Sequence, residues 1–235
     1  MKNLSAEDML ETAAYALIGQ RWRDSYLHDL RGALQALHSA IELLVRTAKT
    51  PGDNTALAEK ASALARRTVA GYENSLVDLL DQLVPTVEVP ARVNVGDLLG
   101  GILRFIRNEA AKKSITFALA ARSDVFALTQ AGKCRLLLLG LSAAMIDGLE
   151  TGAIVDVTVG LRGTHAVIEL QSAMPIVDVI DADTLWRARA STYEILLWVT
   201  HRWAHANGGG FEVLATAESK SILRIYYPID ASMNS

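Results

Sequence analysis

The sequence predicts an α+β protein, a two-helix hairpin followed by a layered α/β domain, and three observations predict it. Apolar residues recur at Leu27, Leu30, Leu34, Leu37, Ile41 and Leu44 in alternating steps of three and four. That spacing lays them on one helical stripe with the period of a bundle seam. A second series in the same alternation runs through Ala58, Ser62, Ala65, Val69, Tyr72, Leu76, Leu79 and Leu83. Beyond residue 90 the pattern changes to short alternating runs interleaved with helical ones, the mark of helices set against a sheet.

Between the two seams, Pro51-Gly52-Asp53-Asn54 breaks the chain with strong turn chemistry, and Pro85 and Pro90 end the second helix. Two such helices form an antiparallel hairpin with a wide apolar face that one copy cannot hide. Pairing with a second copy into a dimeric four-helix bundle buries it, so a homodimer is expected. The hairpin domain is assigned to residues 1–88 and the second domain to 89–235. In the second domain Val95–Ala111, Lys133–Leu149 and Thr192–Ala206 read as helices. Ile115–Ala120, Ile154–Leu161, His165–Gln171, Phe211–Ala215 and Ser221–Tyr227 read as strands of a mostly antiparallel sheet.

Composition excludes several classes. Apolar residues make up 51% of the chain and charged ones 21%, the balance of a folded globular protein. A net charge of -3 gives no reason to expect nucleic acid, which would want a basic face. Cys134 has no second cysteine to bridge with and lies in an apolar run, so an inert buried thiol is expected. The longest apolar stretch, Leu136–Ile146, is far short of the roughly 20 residues of a membrane helix. Met1–Met9 carries Glu7 and Asp8 where a leader would be basic. A cytoplasmic protein without membrane contact is expected, with no sensor domain ahead of its first long helix.

His28 follows seam residue Leu27 and therefore points away from the seam, beside Asp24, Ser25, Arg31, Gly32 and Gln35 on its helix face, with the carboxylate of Asp29 adjacent. The run His28-Asp29-Leu30-Arg31-Gly32-Ala33-Leu34 resembles the phosphoacceptor box of bacterial histidine kinases. The segment from Val93-Asn94-Val95-Gly96-Asp97-Leu98-Leu99 to Ala110-Ala111-Lys112-Lys113-Ser114-Ile115 resembles the opening of their ATP-binding domain. The resemblance spans about residues 20 to 230 and implies a Bergerat-type, kinase-like ATPase sandwich for the second domain. It implies His28 as phosphoacceptor and Asp29 as the acid that positions the ring and acts as base. Arg31 suits a phosphate or an acidic partner surface. Gly32 stands where kinases that also act as phosphatases carry a polar side chain, which argues against a phosphatase activity.

The features of a kinase nucleotide site are missing. Ala144, in Leu141-Ser142-Ala143-Ala144-Met145-Ile146-Asp147, occupies the place of the magnesium-holding Asn. Ser172, in Ile168–Ile176, stands nearest the adenine-reading Asp, with no glycine after it, and Val177–Ser191 has no glycine for a lid. Asn207-Gly208-Gly209-Gly210 resembles the family's turn into a strand and speaks for fold. The expected function is a histidine phosphotransferase relaying a phosphoryl group between response-regulator receiver domains through His28. It resembles the bacterial phosphotransferases that join a histidine hairpin to a degenerate kinase-like domain. It would need no cofactor of its own, since magnesium would come with the receiver domain. The alternatives are a pseudokinase that binds or inhibits a two-component partner and a divergent ATP-dependent autokinase. His201 and His205, at i, i+4, lack a further metal ligand, so no metal site is expected. His38 reads as a packed or hydrated residue, and Trp186, Trp198 and Trp203 as core anchors.

Overall fold

A cap sets where the first helix begins. Ser5 Oγ accepts the Asp8 N–H at 3.1 Å, and Asp8 Oδ2 accepts the Ser5 N–H at 3.4 Å, a reciprocal cap that starts α1 (Ala6–Lys49). A computed structural model of the chain describes residues 5–49, 54–83, 89–174, 182, 184–185, 190–216 and 220–229, and the side chains of 73–83 are left aside. Thr55–Leu83 forms α2. The expected turn at 51–53, the break at Pro85 and most of 177–191, Trp186 included, lie outside the described residues.

The chain divides into two compact units: Gln20–Asp81, and Met1–Gly19 together with Gln82–Ser235. The first unit is the helical hairpin, built from the greater part of α1 and α2. Among its described side chains, Trp22, Ala40 and Ala61 are buried. The predicted seam divides along its length: Leu30, Leu37 and Leu44 are half-buried, whereas Leu27, Leu34 and Ile41 stay exposed. On α2, Leu57, Leu64 and Val69 are exposed as well.

The second unit is a five-stranded mixed sheet with helices on one face. Its further elements are β1 (Ala91–Asn94), α3 (Val95–Lys112), β2 (Thr116–Ala121), β3 (Phe126–Thr129) and α4 (Ala131–Gly148). β4 (Ile154–Arg162), β5 (His165–Ser172), α5 (Thr192–Ala206), β6 (Gly210–Ala215) and β7 (Ser221–Pro228) complete it. The sheet order is β2-β4-β5-β7-β6, with β2 parallel to β4 and every other pair antiparallel. β1 and β3 form a separate antiparallel pair. At four residues each, they are too short for alternation to announce them.

Register follows from side-chain alternation. Val155, Val157 and Val159 of β4 meet Ile168 and Leu170 of β5 and Leu223, Ile225 and Tyr227 of β7 on the buried face. Each fully buried branched aliphatic contributes about 1.5–3 kcal/mol. On the opposite face Thr158, Glu169, Arg224 and Glu212 stand opposite one another across four strands. Arg224 Nε donates to Glu169 Oε1 at 2.6 Å and its Nη1 to Glu212 Oε2 at 3.1 Å. A one-residue slip of any strand would bury this ladder and expose the valines.

Residues 6–19 of α1 belong to the second unit. Leu10, Ala14 and Ile18, spaced i, i+4, i+8, are buried there. Lys133 Nζ lies 3.6 Å from Glu11 Oε1, and Arg202 Nη2 lies 3.1 Å from Glu7 Oε2. A Cβ on Gly140 would come within 2.7 Å of the Ile18 side chain and 3.0 Å of Leu196 Cδ2, so glycine is what lets α1 come this close to α4 and α5.

At the end of α5, Gly208 takes φ +74°, and a Cβ on Gly209 would lie 2.0 Å from the Tyr226 carbonyl oxygen. The glycines therefore turn the chain from α5 into β6, as the sequence suggests. Gly210 has only ordinary contacts, the nearest at 3.4 Å. Gly209→Ala is expected to lower unfolding free energy by about 1–3 kcal/mol or more. Gly210→Ala is expected to change it by well under half that amount, with urea denaturation as the measurement.

Candidate functional site

His28 lies within α1 in the hairpin unit, and its side chain is 75% exposed. Its Nδ1 is 3.4 Å from Asp29 Oδ1, so the structure brings together the predicted histidine and acid through a long contact. Arg31, the other predicted residue, is exposed. Gly32, one turn beyond His28, is exposed, and an added Cβ there would meet nothing within 4 Å. The surface around His28 is therefore uncrowded on the side the helix turns toward Gly32.

Two residues before His28, Tyr26 ties α1 to α2. Its hydroxyl donates to the Tyr72 hydroxyl at 2.7 Å, and the ring centroids are 6.0 Å apart. Desolvation, followed by the hydrogen bond to Tyr72, pushes the Tyr26 phenol up to about 12. The contact between the two rings joins α1 to α2 two residues before His28. Tyr72 was legible as a seam residue, but Tyr26 falls outside the leucine repeat that the sequence reading followed.

The second unit places the residues expected at a nucleotide site. Ala144 is buried in α4, and Ser142 is buried beside it, while Asp147 is exposed near the helix end. Gly140, Ala144 and Gly148 share one face of α4 by their i, i+4, i+8 spacing. Ile18 packs over one end of this stripe. Met174 packs over the other, where a Cβ on Gly148 would lie 3.0 Å from Met174 Cε and 3.3 Å from its sulfur. Met174 stands two residues after Ser172, and both are buried. The Met174 N–H donates to Ser172 Oγ at 3.4 Å. The sequence shows what Ala144 and Ser172 lack, but carries no local signal that Ile18 and Met174 pack against the two ends of one stripe.

The other singled-out residues are structural in their surroundings. Cys134 is fully enclosed and donates from Sγ to the Tyr227 hydroxyl at 3.2 Å. Burial pushes its thiol up to about 12, so it carries no thiolate near neutral pH. Trp198 and Trp203 are buried, and Trp203 meets Tyr227 edge-on at 5.6 Å. His38 is exposed, with Nε2 3.4 Å from Glu42 Oε1. The rings of His201 and His205 are 4.5 Å apart, and His201 abuts Phe211. Among the described residues no cluster of three or more His, Cys, Asp or Glu side chains could hold a metal ion, and no helix is long and apolar enough to cross a membrane.

No family model and no curated protein matches this sequence. Solved structures match it in fold. The catalytic domain of histidine kinase ThkA aligns with a TM-score of 0.51 at 12% identity, over 60% of this chain and 96% of that one. A histidine kinase from Burkholderia phymatum STM815 aligns with a TM-score of 0.50 at 16% identity, over 97% of this chain and all of that one. Histidine kinase ThkA in complex with response regulator protein TrrA aligns with a TM-score of 0.50 at 13% identity, over 94% of this chain and 64% of that one. The fold is therefore histidine-kinase-like: a long N-terminal helical hairpin and a kinase-like α/β domain, as the sequence predicts.

Burial, followed by repulsion from His205, holds His201 below the ordinary histidine range. The unfolded chain therefore binds a proton at this position more readily than the folded one. The stability that neutral His201 carries is complete above the unfolded value and drains away as pH falls through it. Between about pH 7.5 and 5, His201→Gln is expected to flatten the acid-side loss of melting temperature seen in the wild-type chain.

Proposed function

We propose that this chain is a histidine phosphotransferase of a two-component pathway, relaying a phosphoryl group between response-regulator receiver domains through His28 without ATP. The observation that carries this reading is the exposed His28 imidazole with Nδ1 turned to the Asp29 carboxylate. With the Nδ1 proton assigned to that contact, Nε2 holds the free lone pair. Nε2 attacks phosphorus of the donor aspartyl phosphate. The bond from phosphorus to the carboxyl oxygen breaks, the donor aspartate leaves as a carboxylate, and the N–P bond forms. The positive charge gained by the ring is shared with Asp29, so no proton has to leave. Transfer to the acceptor aspartate runs the same step in reverse. Magnesium bound by the receiver would offset charge on the phosphoryl oxygens.

Two further observations support the reading. Ala144 is buried and offers no side-chain oxygen to a metal, and Ile18 and Met174 pack against the two ends of its stripe, which favours a relay over an autokinase. The exposed row of Leu27, Leu34 and Ile41, with Leu57, Leu64 and Val69 on α2, is what pairing with a second copy into a four-helix bundle would bury. The response regulator bound to ThkA illustrates the class of partner proposed here. Incubation with radiolabelled phospho-receiver domains tests the assignment. Label is expected on the wild-type chain and absent from His28→Gln, and Asp29→Asn is expected to slow transfer by roughly 10²-fold. Label arriving on His28 from ATP would make the chain an autokinase, and unchanged partner phosphorylation with His28→Gln would leave it a binding module.

A further inference from the structure

The two edges of the five-stranded sheet differ. β6 sends Glu212 into the charged ladder, where it accepts from Arg224 and from the Tyr226 hydroxyl at 2.8 Å. β2, the other edge, reads Thr-Phe-Ala-Leu-Ala-Ala over Thr116–Ala121, with no charge and no proline. Those are the usual protections of an open edge, and their absence leaves β2 a template for another strand.

The hydrogen-bond pattern identifies the groups available. The Thr116 N–H donates to the Ala153 carbonyl at 3.0 Å and the Arg122 N–H to the Val159 carbonyl at 3.4 Å, both toward β4. Backbone groups alternate sides along a strand, so those of Phe117, Leu119 and Ala121 face away from β4. No described residue pairs with them there. Phe117 and Leu119 register with Val155 and Val157, which are buried under the helices, so their side chains lie on the same face at its margin.

At that margin α3 stands off from β2 and leaves a groove of about 700 Å³. Leu103, Ala111, Phe117 and Leu119 line it, with Arg104 and Arg107 along the α3 side. Both arginines are exposed, and neither makes an ion pair with a described residue, in contrast to Arg122, Arg162, Arg202 and Arg224. The volume alone would suit a small molecule. Yet one wall is an unpaired strand edge, whose N–H and C=O groups call for a backbone, and the free cations call for carboxylates.

We propose that this groove docks an extended segment of a partner protein, which adds as a further strand beside β2. Its groove-facing side chains are apolar and meet Phe117, Leu119 and Leu103, and its flanking carboxylates meet Arg104 and Arg107. The site lies on the α/β unit and is independent of the phosphotransfer assigned to His28.

A labelled peptide of alternating valine and threonine, with a glutamate at each end, serves as the probe for the full-length chain in fluorescence anisotropy. Saturable binding is expected, weakened by added salt and by at least about tenfold in R104E/R107E. The same variant is expected to gain affinity for a lysine-ended peptide. Methylating alternate peptide amides should abolish binding, whereas His28→Gln should leave it unchanged while removing phosphotransfer. Because both arginines are exposed, R104E/R107E is expected to keep the wild-type circular dichroism, and R104Q/R107Q serves if it does not. No binding by the glutamate-ended peptide, or equal binding by its methylated form, overturns the proposal. So does a change in oligomeric state in R104E/R107E, which would make the occupant a second copy of this chain.

Discussion

The α/β unit depends on one constraint: α4 has almost no polar face. From Leu136 to Ile146 every residue of this helix is buried, Ser142 included. A helix that is apolar all round has to be covered on all sides. The sheet covers one side, where Cys134 reaches the Tyr227 hydroxyl. α3 and α5 flank it, and the first turns of α1 cover the side that remains, with Ile18 pressed against Gly140. Glycine at 140 is the condition for that last contact, because any side chain there would collide with Ile18 and Leu196. The ion pairs of Glu7 and Glu11 with Arg202 and Lys133 are partly exposed. They steer the segment more than they stabilise it, because such pairs are worth about 0–1 kcal/mol each. Burial of Leu10 and Ile18 supplies the larger share.

The same constraint bears on chemistry. A helix that holds a metal-bound nucleotide has to offer oxygen ligands on an accessible face. The stripe of Gly140, Ala144 and Gly148 carries no side-chain oxygen, and Ile18 and Met174 pack against its two ends. Ala144 is buried, so an amide placed there would need partners within the unit, and polar atoms left without them cost about 1–3 kcal/mol. The relay proposed above draws on both features, the alanine at 144 and the apolar contacts at the two ends of its stripe.

Much of this was legible in the sequence, and the exceptions have physical reasons. Apolar period, with Asn207 and its glycines as a stop, located α3, α4 and α5 to within a residue or two; the structure adds the Ser191 and Glu194 capping box of α5, with the Ser191 N–H donating to Glu194 Oε2 at 2.6 Å. β1 and β3 were too short to show a period. The start of α1 was available in Ser5-x-x-Asp8 followed by Leu10, Ala14 and Ile18, but this stripe is offset from the leucine seam that begins at Leu27. Two faces of one 44-residue helix serve two compact units, and a search for a single heptad follows only one of them. His28 and Asp29 were legible as neighbours on an exposed face, because the seam fixes which way their helix turns. The Tyr26–Tyr72 pair was not, since a hydrogen bond between side chains 46 positions apart leaves no local pattern.

The contrast between the sheet's two surfaces explains why its register is so well defined while one edge stays open. Across the solvent face, Thr158, Glu169, Arg224 and Glu212 lock four strands, and Arg162 adds a contact to Glu169 at 2.9 Å. β2 lies outside that ladder. Among the described residues its backbone pairs with β4 alone, and its side chains bring no charge to repel a neighbour. An edge held by backbone pairing and a few apolar contacts, beside a helix with uncommitted arginines, is specified in position but not in partner. The ladder orders the strands and the helices bury the valines, and neither requirement closes the groove under α3. The groove is therefore a feature the fold tolerates without needing it, which leaves its residues free to be shaped by what binds there.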